Sequence, residues 1–378
     1  MANTFLTPSV IAREALMKLE NNLVFANLVH RDHSREWNTG LKVGNAVTIR
    51  GPATFTANEF TSTISVQAAT ETSVTLTLEK HFDVSFDVTS SDWKLNLQDF
   101  SDQLIEPAVI ALAQAIDNYV AQQFDEVYNF VGTATDPPDS LDDIAAIDEK
   151  MNNEKVPFRG RNVVVNAKAK RDLFSIPQFT DAEKRADDGS ALREASMGRF
   201  MGFDWFMDQN IQSFTGGTLS DGTSKAAITD GVQTIGLKTI DIDETTLTGT
   251  LVTGDVFTVA GDTQQYVVTG GPHTASGNAI TGLTFEPAAK VAWGDGAAVT
   301  FVANHVANLA FHRNAIALVV APLEMPDGAA KSMVMGNRGL GIRYVSDYSI
   351  SSKTDTISLD VLVGSRAIDP RLATRVLG

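Results

Sequence analysis

The side chains best suited to chemistry in this sequence are histidines, clustered carboxylates, serines and glycine-rich turns. His30 and His33 lie three residues apart on a possible helix, which could place two imidazoles on one metal ion. Two imidazoles alone do not complete a metal site, which needs three or four protein ligands. We therefore interpret them as surface histidines, and the sequence predicts no metal site.

Two groups of carboxylates could bind a cation or act as acid and base. Asp241, Asp243 and Glu244 lie together in what the sequence predicts to be a loop, where such side chains are usually solvated. The other group surrounds a predicted helix start, where the helix dipole favours negative charge. We therefore interpret both groups as structural. The second group contains Asp136, Asp139, Asp142 and Asp143.

Patterns for nucleotide binding and nucleophilic catalysis are missing from the sequence. Gly336, Gly339 and Gly341 lack dinucleotide-loop spacing, and no GxxxxGK phosphate loop occurs. No serine lies in a GxSxG motif. Without cysteine there is neither a thiol nucleophile nor a disulfide. The sequence thus predicts no catalytic, cofactor-binding or metal-binding residue, and a protein that is not an enzyme.

Charge and composition bound the remaining classes. The formal net charge of −16 argues against tight, sequence-independent DNA binding, because phosphates would meet net repulsion. With 378 residues, 43% of them hydrophobic, the chain is long enough for two or three domains. No uninterrupted apolar run approaches the ~18–20 residues of a membrane span, and the first ten residues do not resemble a signal peptide. We expect a soluble protein of cytosolic origin, with no membrane partner.

A long amphipathic helix is predicted to organise the chain, and we place it over residues 101–131. Ser101 can cap its start. Pro107 lacks a backbone donor, so the helix either kinks there or begins its regular part just after it. At ~1.5 Å per residue the helix spans about 35–45 Å, the width of a whole domain. Its apolar stripe, at steps of three and four, is Ile105, Val109, Leu112, Ile116, Val120, Phe124 and Val127.

Two segments before this helix lack an obvious partner in the sequence. Val10–Val29 predicts a helix with one apolar stripe, which must pack either on the body or on another subunit. Leu41–Val88 alternates with the period of strands, but its middle, Pro52–Thr72, is rich in threonine, alanine and serine. We interpret this region as a two-stranded arm extending from the body. Ordering such an arm is costly unless something covers it, which indicates an assembly.

A sharp change of composition marks Thr215–Phe301, which is rich in glycine, threonine, valine and aspartate. Short alternating runs, such as Val256–Val259 and Tyr266–Val268, are separated by turn signals about every ten residues, which predicts a small all-β barrel or sandwich. Its flanks look like parts of one domain, so we interpret it as an insertion. The other predicted elements are a helix at Ser140–Asn152, a linker at Pro157–Gly160, strands at Val163–Val165, Gly198–Ile211 and Ala315–Ala321, a charged loop at Phe179–Ala195, and an antiparallel pair, Ile342–Tyr348 with Thr356–Val363.

In their order, these segments resemble bacteriophage major capsid proteins of the HK97 fold. The likeness includes the N-terminal helix, the arm, EPAVIALAQAIDNYV in the long helix and GRFMGFDWFMDQNI after it. NLAFHRNAIALVVAPLEMP and the following GIRYVSDYSISSKTDTISLDVLVGSRAIDPRLATRV are similar to the closing segments of P22-like coat proteins. LVTGDVFTVAG resembles the opening strands of their inserted barrel. The chain is short for that group, mainly between Asn210 and the barrel.

The resemblance implies an α+β protein with the HK97-like capsid fold and an inserted small all-β domain. It also gives names to the parts of the chain. They are an N-terminal arm (1–35), an extended β-loop (36–80), a peripheral domain (81–155 and 341–368) that contains the spine helix (101–131), an axial domain (156–214 and 305–340), an inserted β-barrel domain (215–304) and a C-terminal tail (369–378).

The same resemblance implies a structural function without a cofactor. Copies of the chain would form the pentamers and hexamers of an icosahedral shell that encloses double-stranded DNA without binding it sequence-specifically. A scaffolding protein and a portal would be partners, assembly would occur in the host cytoplasm, and the product would be the virion. Two alternatives are an encapsulin-type compartment shell and a secreted β-rich surface protein. The inserted barrel and P22-like tail count against the first; the missing signal peptide and the long helix count against the second.

Overall fold

The computed structural model of the chain describes residues 8–32, 46–50, 57–60, 64, 66, 73–91, 101–181, 194–328, 330–337 and 340–378. The contacts divide the chain into two compact units. The first contains Met1–Ile116 and Ile316–Ile368, and the second contains Asp117–Ala315 and Asp369–Gly378. The α-helices of the described residues are α1 (Pro8–Asn22), α2 (Phe25–Leu28), α3 (Glu106–Ala121), α4 (Leu141–Asn153), α5 (Ala167–Leu173) and α6 (Pro177–Thr180).

The long predicted helix is present but ends earlier than residue 131. A π-helical turn, Ser101–Ile105, leads into α3, and a 3-10 turn, Gln122–Glu126, ends the helix. Val127 is extended, and Phe130–Val131 forms a strand, because β-branched and aromatic residues favour extended backbone. The boundary at 131 was therefore wrong. The predicted stripe is buried at Ile105, Val109, Leu112, Ile116, Val120, Phe124 and Val127.

Length and composition alone would also allow this helix to cross a membrane. Its Gln103–Glu126 segment contains an 18-residue window of mean hydropathy 1.2, and 56% of that window is buried in the protein. The core helix of a soluble protein has the same properties.

The first unit is built on a five-stranded antiparallel sheet. Its path is β18-β21-β20-β19, and β3 pairs with β21. Helix α1 packs on β19 and β20, so the N-terminal stripe is buried within its own chain. The strands of this unit, numbered along the whole chain, are β1 (Ala46–Arg50), β2 (Ser73–Thr77), β3 (Lys80–Thr89), β18 (Ile316–Ala321), β19 (Lys331–Asn337), β20 (Leu340–Ser349) and β21 (Thr354–Ala367).

This sheet corrects the predicted axial domain. All six residues of β18 are buried and pair with β21, and β19 pairs with β20. Strands β18 and β19 therefore belong to the same sheet as β20 and β21, and the predicted segment 305–340 was wrong beyond residue 315. An apolar strand such as β18 can be recognised in the sequence, but its choice of neighbour depends on distant residues.

The second unit contains a mixed seven-stranded sheet. Its path is β4-β22-β17-β5-β7-β6, and β8 pairs with β17. Helix α4 and α5 supply Ile144, Ile147, Met151, Ala169 and Leu173 to a core shared with β5 and β7. The strands are β4 (Phe130–Val131), β5 (Arg161–Val165), β6 (Arg199–Phe200), β7 (Phe203–Met207), β8 (Ser213–Phe214), β17 (His305–His312) and β22 (Ala373–Leu377).

Three further predictions need correction in this unit. Residues 369–378 are not a separate tail, because β22 lies between β4 and β17 and is buried along its whole length. Residues 117–155, predicted to be peripheral, belong here because α4 packs on β4 and β22. The aromatic segment Gly198–Ile211 forms two strands, β6 and β7, joined by a turn at Met201 and Gly202.

A closed barrel occupies the segment that was predicted to be all-β. Its strands follow the order β10-β15-β13-β12-β16-β9. The aromatic rings of its core are those of Phe257, Tyr266, Phe285, Trp293 and Phe301. Its independence as a domain (215–304) stays a prediction. The strands are β9 (Ala226–Thr229), β10 (Thr239–Asp243), β12 (Val256–Val259), β13 (Gln265–Val268), β15 (Ala279–Glu286) and β16 (Ala298–Phe301), and a small sheet beside them pairs β11 (Thr250–Leu251) with β14 (His273–Thr274).

Candidate functional site

Of the two histidines at metal-ligand spacing, His30 is the one that lies among the described residues. The Nε2 atom of His30 lies 3.4 Å from Oδ2 of Asp32, while His33 lies outside the described residues. Across the part of the chain that the structure describes, no three His, Cys, Asp or Glu side chains are grouped to hold a metal ion. Gly336 and Gly341 pair across β19 and β20, and Gly339 lies outside the described residues.

The carboxylate groups are tied to local structure. Asp241 and Asp243 lie in β10 rather than in a loop, and Asp241 accepts a hydrogen bond from Gly282 at 2.6 Å. Burial, and then the neighbouring carboxylates, raise the pKa of Asp243. At the start of α4, Ser140 and Asp143 form a reciprocal capping box. The helix-start interpretation is thus confirmed at Asp143.

An open cleft of about 350 Å³ lies beside β4, and its polar side chains bind other groups of the same chain. The amide of Gln265 donates to the carbonyl of Phe130 at 2.9 Å and accepts from its backbone N–H at 2.8 Å. Lys150 lies 3.5 Å from the carboxylate of Glu154. These contacts hold a sheet edge and a helix end, and we interpret the cleft as structural.

The arm, residues 46–77, presents apolar side chains to solvent. Its base is a two-stranded antiparallel sheet, in which Ala46 pairs with Thr77 and Arg50 with Ser73. Leu76 of this base is buried in a cluster with Ala317 and Val319. Farther along the arm, three large apolar residues are exposed. They are Phe60 (68% exposed), Ile64 (79%) and Val66 (85%).

These exposed residues are the strongest candidate functional feature of the arm. Single exposed apolar side chains are common on soluble proteins, but several within one short segment indicate an interaction surface. An arm that is stabilised by contact with another molecule was predicted from the sequence, but Phe60, Ile64 and Val66 were not identified as the residues that make this contact.

A buried charged cluster in the second unit attaches the barrel to the C-terminal strand. Arg375 in β22 is fully buried, and its Nε donates to the carbonyl of Val127 at 2.8 Å. Its Nη1 donates to the carbonyl of Gly254, next to barrel strand β12, also at 2.8 Å. The guanidinium lies over the rings of Phe124 and Phe214, 5.3 and 5.6 Å from their centroids. One side chain thus links the long helix, the sheet and the barrel.

Asp255 provides a second buried charge in this cluster. One of its carboxylate oxygens accepts from Nζ of Lys225 at 2.5 Å, and the other accepts from the backbone N–H groups of Gly217 at 3.0 Å and Val252 at 2.8 Å. A buried carboxylate with these partners fixes the segment before β9 against the turn before β12.

Burial shifts the pKa of two titratable groups in the cluster. Burial raises the pKa of Asp125 to about 6, and the nearby Arg375 partly offsets this rise. Burial lowers the pKa of His305 to about 4. No sequence pattern identified this cluster, because its members are distant in sequence and each resembles an ordinary surface residue.

The sequence has no match among protein-family models or among curated proteins. A solved structure from Mycobacterium phage Che8 is 17% identical, with a TM-score of 0.53 over 94% of this chain and 90% of that chain. The capsid of cyanophage P-SCSP1u is 10% identical, with a TM-score of 0.47 over 89% of this chain and 84% of that one. A virus-like particle from Pyrococcus furiosus is 9% identical, with a TM-score of 0.39 over 97% and 98%.

The likeness to the Che8 structure shows the fold. The predicted role as a phage capsid protein agrees with this shared fold and stays a prediction. The P22-like subgroup stays a prediction.

Proposed function

We propose that this chain is the structural subunit of a bacteriophage capsid. Many copies would form pentamers and hexamers that close into an icosahedral shell around packaged double-stranded DNA. The fold shared with the Che8 phage structure supports this proposal. The main observation behind the proposal is the exposed apolar surface of the arm, because such a surface is expected where a neighbouring subunit binds.

The apolar side chains of the arm are not buried within their own chain. Phe60, Ile64 and Val66 gain nothing from the fold of their own chain, since each is mostly exposed. Covering a large apolar side chain contributes about 1.5–3 kcal/mol, so one neighbour covering all three would stabilise an assembly substantially. Repeating this contact in every copy is how symmetric oligomers are built.

The charge of the chain fits a container for nucleic acid. A net charge of −16 per copy gives the wall a repulsive field toward phosphates, which keeps enclosed DNA from adhering to it. In this proposal the DNA is enclosed and not read, a scaffolding protein and a portal act during assembly in the host cytoplasm, and the virion is the final location.

The proposal also assigns roles to the parts of the structure. The first unit would form the peripheral domain with the N-terminal arm and the extended β-loop, and the seven-stranded sheet would form the axial domain. The closed barrel would be the inserted domain of the P22-like subgroup.

Electron microscopy of the purified, concentrated full-length protein tests the proposal. Closed shells of uniform size are expected. Monomers or flat lattices would contradict it, and flat lattices would favour a surface-layer protein instead. Shells that contain protein cargo and never DNA when isolated from infected cells would favour the encapsulin-type alternative.

Variants of the arm test the residues that carry the proposal. Changing Phe60, Ile64 and Val66 together to serine is expected to leave a soluble, folded subunit that forms no shells. Changing Ala57 and Asn58 to serine is the matched control, because both are exposed in the same arm, and shells are expected to remain. Normal shells from the triple variant would remove the arm from the proposal.

Deletion of residues 52–72 is expected to have the same result as the triple variant. A deletion variant that unfolds, or that assembles normally, would show that the arm is not a clasp between subunits.

A further inference from the structure

One end of the seven-stranded sheet carries exposed cations and an exposed aromatic ring on neighbouring loops. This group, called here the basic end, consists of Lys155, Phe158, Arg159 and Arg313, all exposed. Its two loops are joined, because the backbone N–H of Arg313 donates to the carbonyl of Gly160 at 3.2 Å. The sequence analysis treated 157–160 only as a linker.

The ring of Phe158 packs on the guanidinium of a buried arginine, Arg161. The Phe158 side chain is 69% exposed, and the guanidinium of Arg161 lies 4.6 Å from the ring centroid. Arg161 is itself buried and donates to the carboxylate of Asp148 and the carbonyl of Pro157, at 2.8 and 2.9 Å. An exposed aromatic ring with exposed arginines at neighbouring positions has the composition of a protein-interface hot spot.

The exposed cations of the basic end have no acidic partner among the described residues. The neighbouring acids already have partners, because Asp148 pairs with Arg161 and Glu154 with Lys150. On a chain of net charge −16, three exposed cations without an acidic partner, at the same end of the sheet as an exposed ring, are suited to binding an acidic surface.

An acidic surface of this kind lies at the opposite end of the same sheet. Called here the acidic end, it consists of Asp136, Asp139 and Asp142, all exposed. Each end is defined by strand direction. The acidic end follows the last residue of β4, and the basic end adjoins the first residue of β5.

The topology separates the two ends. Strand β4 is parallel to β22, β22 is antiparallel to β17, and β17 is antiparallel to β5, so β4 and β5 run in the same direction. Helix α4 starts at the acidic end and finishes at the basic end, and its 13 residues measure about 20 Å. The two ends of one copy therefore cannot neutralise each other.

We propose that the basic end of one copy binds the acidic end of the next copy, in a head-to-tail contact that closes into a ring. This inference rests on the proposed function, and it names the surfaces that would join subunits within one ring. A contact between two different patches is heterologous, and repeated heterologous contacts generate cyclic rings when the rotation closes. Arginine–carboxylate pairs would fix the register, and Phe158 would supply the apolar centre of the contact.

Charge reversal in the full-length protein tests this contact. The Arg159→Glu/Arg313→Glu variant is expected to lose ring and shell formation in sedimentation velocity and electron microscopy, with an unchanged thermal midpoint. The Arg13→Glu/Lys331→Glu variant is the matched control, because it makes the same change of charge at exposed positions of the first unit. This control is expected to assemble.

Reversing both ends tests their pairing. Adding Asp136→Arg/Asp139→Arg to the first variant restores opposite charges at every contact, so assembly is expected to return. Failure of this folded swap variant to assemble would overturn the pairing, as would normal assembly of Arg159→Glu/Arg313→Glu. Normal shells with less DNA from the latter would instead make the basic end a nucleic-acid contact.

The wild-type protein distinguishes this inference from the proposed function. If the wild-type chain never assembles, the proposed function fails and this inference fails with it. If the wild type and Arg159→Glu/Arg313→Glu assemble alike, only the head-to-tail contact is overturned. Phe158→Ala is expected to raise the protein concentration needed for assembly, and no change on that variant would also contradict the proposal.

Discussion

The closed barrel and the arm are both built from short strands, but they differ in where their apolar side chains lie. In the barrel, Phe257, Tyr266 and Phe285 are buried against one another, with ring centroids 5.3–5.7 Å apart. In the arm, Phe60 and Ile64 are mostly exposed. The barrel closes on itself and leaves no open edge in its path, while the arm has a paired base and an uncovered surface.

This difference separates folding from assembly. The barrel gains its stability within one chain, because strand pairing and apolar burial are both complete there. The exposed apolar residues of the arm can gain comparable stability only from another molecule. The same residue type should therefore respond differently to substitution in the two places.

Phe257→Ala against Phe60→Ala gives the largest expected contrast. Removing the fully buried ring of Phe257 should cost about 3–5 kcal/mol of unfolding free energy, since it leaves a cavity among three other rings. Phe60→Ala should change stability by less than about 0.5 kcal/mol, because the side chain is exposed. Denaturant unfolding of both variants measures the contrast.

Assembly should show the reverse order of sensitivity. Phe60→Ala is expected to reduce the yield of shells although the subunit stays folded. Equal losses of stability for both variants would show that Phe60 packs within its own chain, and the distinction between the two regions would then fail.

The barrel was also the better predicted of the two regions. The runs Val256–Val259 and Tyr266–Val268 were predicted as strands, and both predictions are confirmed by β12 and β13. Alternation and turn residues are local signals, and a barrel of short hairpins depends mainly on such signals.

Long-range placement is where the sequence was insufficient. β18 was correctly predicted as a buried strand, but its pairing with β21 placed it in the other unit. The last ten residues were taken for a tail, yet β22 is internal to a sheet. Pairing partners depend on residues far apart in the chain, which no local pattern specifies.

The buried cluster was missed for a related reason. Arg375 lies in the run ATRVL, and an arginine near a chain end is usually assigned to the surface. Its burial depends on carbonyl groups of Val127 and Gly254, more than 100 positions away in sequence. The stripe of the long helix could be predicted, whereas the partners of a buried charge could not.

Two glycines near the barrel differ in how tightly their surroundings are packed. Gly249 and Gly261 both have positive φ, +91° and +85°. A Cβ on Gly249 would lie 2.2 Å from the carbonyl oxygen of Thr218, whereas a Cβ on Gly261 would meet nothing within 4 Å. The two positions therefore share backbone strain and differ in steric contact.

Gly261→Ala is expected to cost about 1–2 kcal/mol, the penalty for a left-handed residue with a side chain. Gly249→Ala should cost about 1–3 kcal/mol more, because the backbone of Thr218 must move. Thermal unfolding of the two variants isolates this difference. Equal losses of stability would mean that the backbone near Thr218 can move at little cost in free energy. The small sheet would then be less tightly packed than the barrel core.

The junction that holds the barrel should give the smallest net effect in the wild-type protein, because two titrating groups there oppose each other. The pKa of Asp125 is raised by burial to about 6, above the value of about 3.9 expected in the unfolded chain. The folded state therefore binds more protons between these values, and stability from this group rises as pH falls from about 6 to about 4. The pKa of His305, lowered to about 4 from an unfolded value of about 6.5, has the opposite consequence. Stability from His305 is lost over the same interval as pH falls.

Each of these groups contributes on the order of 2–3 kcal/mol across its interval, with opposite signs, so their effects nearly cancel in the wild-type protein. Asp125→Asn removes one of them, and its stability relative to wild type should fall progressively from pH 6 to pH 4. His305→Gln should show the reverse trend, and the double variant should again follow the wild type. Unfolding free energies measured at pH 7, 6, 5 and 4 decide the matter. Parallel curves for all four proteins would show that neither group has a shifted pKa in the folded protein, and the attachment of the barrel would then depend on the hydrogen bonds of Arg375 and Asp255 without help from these two groups.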